Sequence, residues 1–183
     1  MNIKGTAYVS GKLSLIENFG QERWNSFLDK LSAKDDYFNN MIMTITLIPL
    51  DKFVIFLDEI IKEFFNNDNK AYWLFGMTSA KFALSENGPY HSYLLTRDIK
   101  QFVEAVMPEL WETYFDGGKL DAVLENNIIH IRITGLPMNH VYFEYLIMGY
   151  FQQALKVFGE NAEVTKIKGF SSGDQDIYYQ FKI

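Results

Sequence analysis

The stretch DGGKLDAVLENNIIHIRIT, residues 116–134, decides the architecture. Ile129, Ile131 and Ile133 alternate with His130, Arg132 and Thr134. This period of two places the isoleucines on one face of a strand and the polar side chains on the other. Residues 119–124 form a second short run, separated from the first by Glu125-Asn126-Asn127, so the pair reads as a hairpin with one buried face. Downstream, Gly135-Leu136-Pro137 leads into helical spacing over residues 139–158, with Asn139 as its N-cap and Gly159 as its stop. Residues 162–168 and 176–183 flank Ser171-Ser172-Gly173-Asp174 and read as a second hairpin. The C-terminal part is therefore ββαββ: a four-stranded antiparallel sheet with a long helix packed on it.

Upstream of residue 116 the spacing is helical. Residues 12–19 carry Leu13 and Ile16 and stop at Gly20; residues 21–31 carry Trp24, Phe27, Leu28 and Leu31. Pro49 can open a helix, where its missing N–H is not needed, and Leu50, Phe53, Val54, Leu57, Ile60, Ile61, Phe64 and Phe65 then mark a broad apolar face. Residues 71–84 read as another helix, broken by Asn87-Gly88-Pro89. Thr96 as N-cap and Asp98 in the first turn introduce a long helix from Ile99 to Phe115 that accommodates Pro108 with a kink. Residues 41–48 are rich in β-branched types, but no partner run lies nearby, so no strand is expected there. Segregated helices and strands indicate an α+β fold: one domain over residues 1–183, with a helical lobe (1–115) followed by the ββαββ lobe (116–183).

Composition narrows the function. The 183 residues carry a net charge of −6 with cations scattered along the chain, which argues against nucleic acid as a partner. There is no Cys, so disulfides, thiolate metal sites and Cys nucleophiles are excluded. No stretch is long and apolar enough for a bilayer, and the N-terminus lacks a signal-peptide core, so a cytoplasmic location is expected. Aromatic residues make up 16% of the chain, enough to line a cavity or a partner surface as well as a core.

Motifs for chemistry are sparse. Gly169-Phe170-Ser171-Ser172-Gly173 matches G-x-S-x-G, but it lies in a hairpin and no His follows His140, so a turn is expected rather than a nucleophile. His91, His130 and His140 form no metal-binding spacing and are expected at the surface or as caps, and no metal site is expected. Asn67-Asp68-Asn69 resembles part of a calcium loop without its Gly and terminal Glu, and reads as a helix-ending loop. No acid–base pair or nucleophile constellation can be assembled, so no enzymatic activity is expected. The remaining candidates are apolar. Trp73, Phe75, Phe102, Met107, Trp111 and Tyr145 are expected to line a pocket between the helical lobe and the sheet. Tyr142, Phe143, Tyr145, Tyr150 and Phe151 put rings on more than one face of the last helix, and only one face can meet the sheet.

Several segments carry a resemblance. Ile3-Lys4-Gly5-Thr6 at the start, Tyr114-Phe115-Asp116-Gly117-Gly118-Lys119-Leu120 at the entry to the sheet, Tyr145 to Leu155 with its Gly149-Tyr150 and Ala154-Leu155, and Gly173-Asp174 in the last hairpin are arranged in a familiar order. This order resembles the superfamily of heme nitric-oxide/oxygen-binding (H-NOX) domains, vinyl-reductase-type (4VR) ligand-binding domains and vesicle-tethering (TRAPP) subunits. The resemblance implies a sensory or ligand-binding fold in signalling. Heme members hold iron through a His on the helix before the sheet and the propionates through Tyr-x-Ser-x-Arg. Residues 96–114 contain no His, and Ile131-Arg132-Ile133-Thr134-Gly135 does not supply the second motif. Against that pattern the expected cofactor is none, with heme disfavoured, and the expected ligand is a small apolar or aromatic molecule. Two alternatives stay open: a homodimer or protein-interaction module like the tethering subunits, and a divergent gas sensor holding heme through His91 or His140.

Overall fold

The computed structural model describes residues 1–95 and 98–183. The expected N-cap Thr96 lies outside them. The chain opens with β1, Asn2–Lys4, which pairs antiparallel with β2, Leu47–Pro49, placing buried Ile3 opposite buried Ile48. This corrects the expectation of no strand in the 41–48 run. Its partner is the N-terminus, a pairing between distant segments that no local pattern reports.

Four helices follow or bracket this ribbon. α1, Thr6–Phe19, starts earlier than its apolar spacing predicts, because Tyr8 and Ser10 are buried by neighbouring helices. α2 spans Gln21–Lys34 and buries Trp24, Phe27 and Leu31. α3, Leu50–Phe65, begins directly after Pro49 and buries the stripe read from the sequence apart from the half-buried Phe65, with Phe56 added. α4, Lys70–Ala83, runs against the last helix of the chain.

α5 covers residues 99–114. The Asp98 carboxylate accepts the Lys100 N–H at 2.9 Å and so caps its start. The helix widens into a π turn over Phe102–Val106 and returns to α over Met107–Tyr114. Pro108, which has no N–H to give to the turn before it, sits directly after the widened turn. α6 covers residues 142–157, again a π turn (Tyr142–Leu146) followed by α (Ile147–Val157). Its cap is not Asn139: the Nδ1 of His140 accepts the Tyr142 N–H at 3.0 Å.

Between these helices and after α6 stand the strands β3 (Lys119–Glu125), β4 (Ile128–Thr134), β5 (Glu163–Lys168) and β6 (Ile177–Lys182), in spatial order β3-β4-β6-β5, all antiparallel. Asn126 and Asn127 take φ of +50° and +62°, which makes the first hairpin a two-residue turn of the kind that matches strand twist. In register, Leu120 faces Ile133, Ala122 faces Ile131, and Ile131 faces Tyr179. Leu120, Ala122, Ile129, Ile131, Ile133, Ile177, Tyr179 and Phe181 form the buried face. Burying each large side chain of this set stabilises the fold by about 2 kcal/mol.

The helical lobe meets α6 by direct backbone contact. A Cβ on Gly76 of α4 would lie 1.9 Å from the Leu146 carbonyl oxygen, and one on Gly149 of α6 would lie 2.2 Å from that of Trp73. The two glycines let α4 and α6 approach closely enough for one apolar cluster to run through helices and sheet. α6 therefore has two partners, and its rings face both.

Candidate functional site

Where α1, α4, α5 and α6 converge, a partly open chamber of about 40 Å³ remains. Its wall is Ala7 from α1, Ser79 from α4, Leu110, Trp111 and Tyr114 from α5, Phe115, and Tyr142, Leu146, Ile147, Tyr150 and Phe151 from α6. Ser79 is satisfied: its hydroxyl shares a 3.0 Å hydrogen bond with that of Ser10. The two tyrosines are not. The hydroxyls of Tyr114 and Tyr150 are buried and have no hydrogen-bond partner among the described residues. Their rings meet edge-on at 5.8 Å; each phenol perturbs the other's ionisation, yet the hydroxyls do not reach hydrogen-bonding geometry. Burial pushes both phenols far above the ordinary tyrosine range, so both stay protonated and remain donors. Tyr90 packs on Tyr114 at 5.1 Å and its hydroxyl reaches Thr6 Oγ1 at 3.4 Å, closing the chamber towards α1. An unpaired buried hydroxyl costs about 1–3 kcal/mol. A ligand with an acceptor atom would recover that cost here.

The three histidines separate by commitment. His140 has both nitrogens occupied: Nδ1 caps α6, and Nε2 lies 3.2 Å from a carboxylate oxygen of Asp58. Burial works to raise the Asp58 pKa, but hydrogen bonds from His140 and Tyr72 outweigh it and hold the carboxyl below its usual range. His130 shares a 2.6 Å hydrogen bond with the Tyr178 hydroxyl on the outer face of the sheet. His91, on a 3₁₀ turn (His91–Leu94) packed against the π turn of α5, has a buried Nδ1 with no partner among the described residues. No group of three His, Asp or Glu suited to a bare metal ion occurs among the described residues.

The G-x-S-x-G match is a turn between β5 and β6, as its sequence context predicts. Ser171 is nonetheless part of a network. Glu144 of α6, fully buried, accepts Lys166 Nζ at 2.5 Å, the Ser171 hydroxyl at 2.6 Å and the Ser171 N–H at 2.9 Å. Burial tends to raise the Glu144 pKa; Lys166 and Ser171 more than offset it, so the carboxyl lies below its usual range and the ammonium of Lys166 above its own. Lys166 is thus held protonated and cannot act as a base for Ser171. The network clamps the last hairpin to α6.

The residues proposed from sequence do not gather in one cavity. Trp111 lines the chamber. Trp73 and Tyr145 line a surface groove beside Asn67–Lys70, with the Trp73 indole N–H bonded to Gln152 at 2.9 Å. Phe75 borders a shallow groove with Leu15 and Phe19. Phe102 and Met107 are fully buried, with Phe102 against Phe158 at 4.5 Å. Tyr142, Tyr150 and Phe151, read from the sequence as surplus rings of the last helix, also line the chamber, as do Tyr114 and Leu110, which the six proposed residues do not include. Tyr rather than Phe at core-facing positions was the available signal, since a phenol in a core needs a partner.

No sequence-family model matches the chain, and no curated protein does. Solved structures do. An H-NOX protein from S. oneidensis in the Fe(II)NO state superposes with a TM-score of 0.74 at 14% identity, over 98% of each chain. An Fe(II) unliganded H-NOX variant from K. algicida gives 0.68 at 13% identity, over 98% of this chain and 96% of that one. A protein solved to address heme redox potential and porphyrin distortion gives 0.69 at 18%, over 99% and 100%. At these identities the likeness establishes an H-NOX-like fold.

These neighbours correct one expectation. The sequence predicts a chamber without a cofactor and with heme disfavoured; the proteins that share the fold along nearly its whole length are iron and heme proteins, and heme is the group the fold implies. The chamber lining fits that group in part: its walls are apolar and two buried phenols offer hydrogens, but no histidine is among its residues, and the uncommitted Nδ1 of His91 belongs to the neighbouring 3₁₀ turn, outside the lining. The free space of about 40 Å³ is smaller than a porphyrin, so entry requires the aromatic wall to shift.

Proposed function

We propose that this chain is a ligand-binding sensory domain of the H-NOX type, a divergent heme-based gas sensor without catalytic activity, working in the cytoplasm with both lobes as one unit. The observation that supports it is the pair of buried, unpartnered phenols of Tyr114 and Tyr150 in the apolar chamber between the lobes. Heme, when bound, supplies an iron coordination position for a diatomic molecule. His91, which stands outside the chamber lining but has a free buried Nδ1, would be the residue to hold the iron, because His140 is committed to Asp58 and His130 to Tyr178. Tyr114 and Tyr150 donate hydrogen bonds to the acceptor that enters, and Leu110, Trp111, Ile147 and Phe151 exclude water from it.

Titration of the purified chain with hemin tests this. A Soret band is expected for the wild type, lost or shifted in His91→Ala, and retained in Tyr114→Phe and Tyr150→Phe with about tenfold weaker binding of the diatomic ligand. Absence of any Soret band in the wild type overturns the heme reading. A band unchanged in His91→Ala overturns the role of His91.

A further inference from the structure

His140 ties three helices together at the start of α6. Its Nδ1 accepts the Tyr142 N–H at 3.0 Å, and its carbonyl accepts the Phe143 N–H at 3.2 Å. On the far side of the ring, Nε2 lies 3.2 and 3.3 Å from the two carboxylate oxygens of Asp58 on α3. The Tyr72 hydroxyl of α4 donates to the same carboxylate, and the Tyr72 ring stands edge-on to the imidazole at 6.1 Å. Asp58 and Tyr72 are thus the titratable groups that face His140 from the elements packed on it, and its one ion pair among the described residues is with Asp58. This bonding assigns the tautomer: Nε2 carries the hydrogen, and Nδ1 is a bare acceptor. The backbone held by Nδ1 belongs to a wall of the chamber, because Tyr142 lines it and opens the π turn. Beyond that point α6 is held twice more, by the Glu144 clamp to Lys166 and Ser171 and by the approach of Gly149 to Trp73. Ahead of it, residues 135–139 form neither helix nor strand. The Tyr142 ring packs on Phe53 at 5.5 Å and on Phe143 at 4.9 Å, but its backbone depends on the cap that His140 supplies.

We propose that His140 is a pH-sensitive latch on the chamber: a proton taken up at Nδ1 releases the Tyr142 N–H and loosens that stretch of wall, which eases the entry of ligand. The proposal rests on the reading of the chamber as the binding site. A second proton can bind the ring only at Nδ1, which then becomes a donor aimed at another donor, so the closed arrangement and the charged imidazole exclude each other. Solvent reaches the ring, since the His140 side chain is 20% exposed. Acid therefore favours the released arrangement, and the latch is shut above the range in which imidazoles titrate. Asp58 pairs with the charged ring on the α3 side, so the movement falls on the Tyr142 side. Glu144 bounds that movement, because its bonds to Lys166 and Ser171 stop the loosening from passing further along α6.

Amide hydrogen exchange and binding of the dye 8-anilinonaphthalene-1-sulfonate, both on the full chain without heme at about pH 8 and about pH 5.5, test the proposal. After correction for the intrinsic pH dependence of exchange, protection of the Tyr142 and Phe143 N–H groups is expected to fall about tenfold in acid, the size of effect that one helix cap supports, with dye affinity rising by a similar factor. The N–H groups of Ile131 in β4 and Ile147 in α6 should keep their protection. His140→Asn retains a capping acceptor that does not titrate, so both readouts should stay at the high-pH wild-type values throughout. His140→Ala has no cap and should show the loosened values at both pH. Unchanged wild-type protection at Tyr142 overturns the proposal, and so does a pH dependence that persists in folded His140→Asn. Loss of protection shared equally by Ile131 and Ile147 overturns it as well, since that marks general unfolding, and loosening of Tyr142 without a change in dye affinity breaks the link to the chamber. Should neither variant fold, the wild-type profile decides alone. The Soret band of the hemin titration bears on the heme reading and not on these measurements, so the two fail separately.

Discussion

Two groups of buried polar atoms sit on α6, and they differ in one respect. Glu144 is completely satisfied: Lys166 and Ser171 saturate its carboxylate, and the result is a clamp between helix and hairpin. Tyr150, further along the same helix, faces Tyr114 across the chamber with neither hydroxyl paired. A satisfied buried network holds structure together, whereas an unsatisfied pair carries a standing cost that only a ligand, a water or a rearrangement can remove. The same helix is therefore clamped on its sheet side and carries unpaired polar groups on its helical-lobe side.

The largest effect should come from breaking the satisfied group. Glu144→Ala leaves the Lys166 ammonium without its partner and is expected to cost about 3 kcal/mol, read from the urea midpoint of unfolding. A cost under about 1 kcal/mol would erase the contrast, since the network would then hold nothing. Gly149→Ala strikes between the two groups, forcing a methyl onto the Trp73 carbonyl; about 2 kcal/mol of destabilisation is expected, together with opening of the chamber seen as increased binding of an apolar dye. Tyr114→Phe and Tyr150→Phe should go the other way. Each removes an unpaired hydroxyl and is expected to leave stability unchanged or to raise it by up to about 1 kcal/mol in the absence of ligand. A loss of stability in either would mean that the phenol has a partner after all.

The smallest effect is the pH dependence. The folded-state pKa values of Glu144 and Asp58 are depressed, so their stabilisation is complete above the ordinary carboxylate range and is lost as pH falls through the depressed values. Stability should therefore be flat in these groups near neutrality and decline below about pH 4, with a shallower decline in Glu144→Gln. For Lys166 the folded value is raised, so its contribution is present below the ordinary lysine value and disappears only as pH climbs past the raised one. The chamber phenols, raised above the ordinary tyrosine value, should add no slope near neutrality and should lower stability as pH rises past about 10, where the unfolded chain's tyrosines ionise first.

How far the sequence could be read follows the same division. The isoleucine alternation of 129–133 and the Asn126-Asn127 turn are local signals, and the hairpin forms as they predict. The stripe from Leu50 to Phe64 likewise becomes α3. The β1–β2 ribbon was not legible, because its two strands are short and distant in sequence. Neither were the π turns of α5 and α6, which change the helical register by one residue without altering apolar spacing enough to notice. For the site, aromatic abundance pointed to a chamber, but of the six residues proposed to line it only Trp111 does. Trp73 and Trp111 look alike in a helical pattern, yet one borders a surface groove and the other the interior. The missing iron-ligating His in residues 96–114 suggested an empty cofactor prospect, and the fold shared with heme proteins reversed that expectation.

By itself the amino-acid order settled the succession of helices and strands, the α+β class and the identity of the buried sheet face, because hydrophobic periodicity and turn chemistry act over a few neighbouring residues. Only the folded chain decided which tyrosines lose their partners, which histidine stays uncommitted and which carboxylate is clamped. Those outcomes depend on contacts between segments far apart along the backbone, such as the approach of α4 to α6 at Gly76 and Gly149, and a hydroxyl becomes unpaired only once packing has removed the water that would have bonded it.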